Sequence, residues 1–294
     1  MWFKRKATNN QQESSDRRSA RYWTQRKMPA LLRIISVECS IQSMFTDLSI
    51  PKEFESLLLP QWKTLHYESY DLINVDDFDC PEDVKALLCN LQQTVHESHH
   101  FLCGYRDGYM KTLLNILKFD DHHCVLHRQY KPFTKRITNV DLMSISSTLA
   151  QPKIEILSRN QKSFIIIDGM AMAQWKTRYE YEGRKFDNTK EDQVLRELFI
   201  AVHDIAQNCS DISFPINVYA VRVRKSFFTF YKAIAEEEYV TESSMRFPTK
   251  HSLLVQKHPP TTNSISRAYD FCFKDERKQI LKCLISIKQW LREE

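Results

Sequence analysis

Only four of the 294 residues are glycine, about a fifth of the usual share. Loops that cradle phosphates need several glycines, because backbone amides must approach the ligand where a Cβ would otherwise stand. The chain has no GxGxxG, no GxxxxGK[ST] and no GxSxG. Rossmann dehydrogenases, P-loop NTPases, nucleotide kinases and α/β-hydrolases are set aside on that ground. No apolar run reaches the roughly 18 residues of a membrane-spanning helix, and no apolar stretch follows the basic residues at the start, as a secretory signal requires. The eight cysteines show no framework spacing and read as reduced thiols, which places the protein in the nucleus or cytoplasm rather than outside the cell.

What is present is unevenly placed. Residues 1–27 hold eight Lys/Arg against two acids, while the rest of the chain holds 34 basic and 35 acidic residues. The whole positive balance therefore sits in a polar leader, read as a disordered basic tail suited to attracting phosphate backbones or to nuclear targeting. Beyond it, 42% hydrophobic and 27% charged residues are ordinary for a globular core. Residues 28–80 carry short apolar runs broken by Pro51 and Pro60 and read as an N-terminal extension. Residues 81–294 read as one core domain.

From Pro81 the period turns helical, with a proline and two acids in the first turn and Val84, Leu87, Leu88, Leu91 and Val95 recurring on one face. A second helical stretch runs from Tyr109 to Leu117. Weak strand signals follow in "VDLMSISSTL" and "KIEIL". "SFIIID" is short, β-branched and wholly apolar, as buried central strands are. Gly169 offers a turn, and "AQWKTRYEYEG" returns with period-two alternation, so these two stretches are expected to form a hairpin. "TKEDQVLRELFIAVHDIAQ" is an amphipathic helix, with Thr189 leading. "PINVYAVRVRK" and "FFTFYKAIA" read as paired strands joined near Lys225-Ser226, "EEEYVTESSMRFP" as a further strand, and "ERKQILKCLISIKQWLREE" as a closing helix. The order implies an α+β or α/β domain: a mixed central sheet flanked by helices, with a helical N-terminal extension.

In "WKTRYEYEGRKF", alternation puts Trp175, Thr177, Tyr179 and Tyr181 on one face and Lys176, Arg178, Glu180, Glu182 and Arg184 on the other. A core-facing aromatic side and a solvated charged side account for this pattern. The same spacing also lets an acid and a base two residues apart address one metal and one phosphate.

From residue 81 onward the order and spacing resemble the PD-(D/E)XK nuclease-like superfamily. More narrowly, the chain is similar to mucoralean fungal proteins that join a leading helical region to this restriction-endonuclease-like core. The resemblance covers about two-thirds of the chain and is strongest in "PINVYAVRVRKSFFTFYKAIAEEEYVTESSMRFP". It implies a helix glutamate at Glu97 and the glutamate of a Glu-x-Lys pair at Glu182, with Glu180 as the alternative. The pair's lysine falls at Arg184, or at Lys185 if the register shifts. Glu180 and Glu182 would be the metal ligands, for Mg²⁺ if the protein is active. In the expected hairpin the family's aspartate falls at Ser163. Serine is a poor ligand for a hard cation, and an arginine that stays protonated cannot serve as a base. The reading is therefore a catalytically degenerate site that binds nucleic acid or a protein partner. An active Mg²⁺-dependent nuclease and a non-enzymatic adaptor are the alternatives.

Arg222 and Arg224 share one strand face and are candidates for phosphate contacts, a solvated, charge-guarded strand edge being the alternative. His100-x2-Cys103 and Cys124-x2-His127 have zinc-like spacing. The first pair falls on a helix and the second lacks turn residues, so packed or surface His/Cys clusters are the reading. His203 is read as the boundary residue of an amphipathic helix.

Overall fold

The computed structural model describes residues 29–45, 48–58, 74–96, 103–119, 124–127, 134–136, 144–146, 154–158, 162–168, 191–208, 212–224, 226–261 and 268–293. In chain order the main elements are β1 (Ile34–Glu38), a short α1 (Ile41–Met44), α2 (Glu82–His96), α3 (Cys103–Ile116), β2 (Cys124–His127), β3 (Thr134–Arg136), β4 (Ser144–Ser146), β5 (Ile154–Ser158), β6 (Ser163–Asp168), α4 (Glu191–Asn208), β7 (Ile216–Arg224), β8 (Phe227–Ala235), α5 (Glu237–Met245), β9 (Leu253–His258), β10 (Tyr269–Asp270) and α6 (Lys274–Arg292). Strands β3 and β4 form a separate two-stranded sheet. The rest build one eight-stranded mixed sheet ordered β1-β9-β8-β7-β6-β5-β2, with β10 also paired to β8. The protein is an α+β fold, and no helix among the described residues is long and apolar enough to cross a membrane.

Alternation along the central strands fills two cores. Phe164 and Ile166 of β6, Tyr219, Val221 and Val223 of β7, and Phe228 and Phe230 of β8 meet α2, α3 and α6 on one face. Ile165, Ile167, Ile216, Val218, Ala220, Tyr231, Ala233, Leu253 and Val255 meet α4 and α5 on the other. Helix α6 buries the five residues its period selects, Ile280, Leu281, Leu284, Ile287 and Leu291. Strand β1 and the residues after it lie in the stretch read as an extension. They nevertheless supply the sheet's edge strand, and Ile41, Met44, Phe45, Phe54 and Leu57 enter the first core.

Two expectations give way. "EEEYVTESSMRFP" is a helix rather than a strand. Glu237 and Glu238 occupy its first turn, where negative charge suits the helix dipole, and Tyr239, Val240 and Ser243 turn inward at helical spacing. The expected hairpin of "SFIIID" with "AQWKTRYEYEG" is replaced by other partners. β6 pairs antiparallel with β5 and parallel with β7, which the crossover helix α4 brings alongside. Ser163 has Leu157 across one edge and Val218 across the other, so its strand has no free edge there for Glu180 or Glu182. Residues 169–190 themselves lie outside the described residues, as does Glu97.

Candidate functional site

Pairing directions place the ends of several strands at one edge of the sheet. β6, β7, β9 and β1 run the same way, so Asp168, Arg224, His258 and Glu38 all end there. The N-terminus of α4 reaches the same edge, because Glu191 Oε2 accepts a 3.0 Å hydrogen bond from Lys257 Nζ. In sheets with parallel strands and crossover helices, ligands are commonly met at this carboxyl end.

On the α4 side, three neighbouring strands change from apolar to polar at this level. β7 passes from Ile216, Val218 and Ala220 to Arg222 and Arg224. β8 presents Thr229 and Tyr231, and β9 passes from Leu253 and Val255 to Lys257. The register sets Arg222 beside Thr229, and Lys257 between Tyr231 and Glu38. Arg222 and Lys257 are only 6% and 5% exposed. A buried charge is costly unless paired, and Lys257 has Glu191 and the nearby Glu38. One nitrogen of Arg222, Nη2, is buried and has no hydrogen-bond partner among the described residues. Burial pushes the Tyr231 hydroxyl far up, and Glu191 reinforces the shift while Arg222 opposes it. Tyr231 therefore stays a neutral donor. Arg224, two residues further out on the same face, is half-buried.

Among the described residues this edge offers guanidinium and hydroxyl donors, and the Glu191 carboxylate is already committed to a lysine. Such an arrangement can attract an oxyanion. Among the described residues no three His, Cys, Asp or Glu side chains are grouped to hold a metal ion.

Of the residues singled out from the sequence, Arg222 and Arg224 reach this edge. Arg222 does so as a buried side chain rather than one facing solvent. Glu97, Glu180, Glu182, Arg184 and Lys185 lie outside the described residues, and so does the basic tail of residues 1–27. Asp168 and Glu191, which flank residues 169–190, both stand at this edge. Ser163 begins β6 at the opposite one, five strand steps from Asp168, or about 16 Å. Lys257, Tyr231 and Glu191 escape motif reading. The one available signal is "LLVQKH", where alternation after Leu253 and Val255 carries Lys257 onto the apolar face.

Two other polar constellations are structural. Ser243 Oγ lies 2.9 Å from His203 Nε2, a Ser–His pairing in appearance. The serine hydroxyl donates 2.6 Å to the Tyr239 carbonyl, so the imidazole is the donor to Ser243 and cannot serve as its base. His203 is 2% exposed, and the pair joins α4 to α5. Around β10, fully buried Arg277 donates Nη1–H to the Phe271 carbonyl at 3.0 Å, and the Cys272 amide donates to Asp270 Oδ1. Burial lowers Arg277 to about 10, leaving it charged at neutral pH, and pushes the Cys272 thiol far up, leaving it unreactive.

No protein-family model matches the chain, and comparison with the curated proteins finds no match.

Proposed function

We propose that the chain is a catalytically degenerate nuclease-like protein that binds nucleic acid in the nucleus or cytoplasm without cutting it. The observation that carries this reading is the basic edge: Arg224 half-buried, Arg222 behind it with an Nη2 that no described residue bonds, and Lys257 beside them. A phosphodiester meets Arg224 first, and the basic tail adds long-range attraction. The order of elements supports the nuclease-like part: helices, then β5 and β6 antiparallel, a crossover helix, and β7 parallel to β6. Support for degeneracy comes from Ser163, which stands where the resemblance places an aspartate and has Leu157 and Val218 as its cross-strand neighbours.

The test is fluorescence anisotropy with labelled single- and double-stranded oligonucleotides over a range of salt, run beside a plasmid-nicking assay with Mg²⁺ or Mn²⁺. Expected are salt-dependent binding, a logarithmic salt slope reduced by about one in Arg224→Ala, a slope restored in Arg224→Lys, and no metal-dependent nicking. Removal of residues 1–27 lowers the slope further. Absence of binding at low salt overturns the reading. Nicking that Glu182→Ala abolishes establishes the active Mg²⁺-dependent nuclease in its place.

A further inference from the structure

Among the described residues, three large hydrophobic side chains are left exposed: Ile35 at 49%, Val37 at 36% and Met245. Two of these three stand on one face of one five-residue strand, β1. Among the described residues that strand ends the sheet order and pairs only with β9, so no described strand bonds the backbone donors and acceptors of its outer edge. Four of its five residues are exposed. Edge strands that stay single are usually guarded by lysine, proline or an inward charge. "IISVE" has none of these. Its single charge, Glu38, is held by the backbone N–H and the hydroxyl of Thr261.

The apolar surface continues inward from this edge. The register sets Ile35 beside Leu254 and Leu254 beside Ile234, and it sets Val37 beside Gln256 and Gln256 beside Lys232. Leu254, Ile234, Gln256 and Lys232 are half buried, so the first face of the sheet is open at this corner. A strand laid along β1 would bond its edge and cover Ile35 and Val37 together.

We infer that the occupant is a second copy of this chain, paired antiparallel through β1 about a two-fold axis at Ser36. The symmetry of the exposed pair selects it, since Ile35 and Val37 stand one residue to either side of Ser36. In a continuous sheet, directly opposed residues must lie on the same face, so only registers in which i and j differ by an even number are allowed. The chain bends at Arg33, whose φ is 47°, and turns into α1 after Ser40, so the usable strand is Ile34–Glu38. Only the register centred on Ser36 pairs all five residues. It sets Ile35 opposite Val37 of the other copy, Ser36 opposite Ser36, and Ile34 opposite Glu38. The four exposed apolar side chains then close on one another, no like charges face each other, and two eight-stranded sheets become one. Five residues span about 17 Å. That contact is smaller than the roughly 800 Å² per partner of a standard stable interface, so the dimer is weak and forms at high concentration.

Sedimentation velocity on the full chain over about a hundredfold range of concentration tests this. Wild type is expected to pass from one chain to two. Ile35→Lys and Val37→Lys, both on the exposed face, are expected to weaken association at least about tenfold and to keep the wild-type unfolding midpoint. In Ser36→Cys, the opposed positions are close enough for a disulfide, and mild oxidation is expected to link position 36 of one copy to position 36 of the other, seen as a cross-linked peptide by mass spectrometry. A chain that stays single throughout the range overturns the inference. So does a dimer that both lysine variants leave intact, or one in which position 36 never cross-links to itself.

Discussion

Glu242 shows how much one carboxylate can organise. It sits on α5, and it accepts hydrogen bonds from the Thr249 amide and hydroxyl and from the amides of Lys250 and His251. Those donors, with Thr249 first, hold its carboxyl at about 2, below an ordinary value of 4.5. A folded-state pKa below the unfolded one contributes stability above the unfolded value, and that stability is lost as pH falls through the folded one. The window is therefore from 4.5 down to about 2. Glu242→Gln keeps the shape and removes the charge. It is expected to lower the urea midpoint at neutral pH, and its deficit against wild type should shrink as pH falls through that window. A deficit that is constant with pH would show that the charge is not what orders residues 249–251. The candidate edge rests on the same logic of partners: Lys257 has Glu191, whereas Nη2 of Arg222 has none among the described residues.

At the scale of elements, side chains distant in sequence decide how helices and strands join. Lys162, in the turn between β5 and β6, donates 2.7 Å hydrogen bonds to the carbonyls of Trp290 and Glu293 and lies 5.3 Å over the Trp290 ring. A cation on the last carbonyls of α6 bonds them and suits the helix dipole. Lys162→Met keeps the stem and removes the ammonium, so it is expected to cost about 1–2 kcal/mol in denaturant unfolding. A cost near zero would mean that water caps this helix equally well. The elements also show where periodicity misleads. The three consecutive glutamates before Tyr239 look like a solvated strand approach, yet they mark a helix start. "SFIIID" does not reveal which partners will take its two edges.

For the whole molecule, the main consequence is that two cores share one sheet. β6, β7 and β8 each send alternate residues to both faces, so neither face can come apart while the other stays packed. Leu284→Ala in α6 and Leu198→Ala in α4 empty fully buried positions on opposite faces. Each is expected to cost about 2–5 kcal/mol, and each should lower one common transition seen alike by circular dichroism and tryptophan fluorescence. Two separated transitions in either variant would show that the faces unfold independently. The sequence alone determined a mixed sheet flanked by helices, the central strand at 163–168, the β7–β8 hairpin, and the inward faces of α4 and α6, because local periodicity encodes which side of an element avoids water. It also singled out Arg222 and Arg224. It could not show that β1 joins the sheet or that Lys257 reaches Glu191, since neither a strand pairing from Ile34 to Leu253 nor an ion pair across 66 residues leaves a local trace. Only the tertiary structure decided what flanks Ser163, because hydrogen bonds between strands are set by which edges a crossover helix brings together, not by the side chains a strand displays.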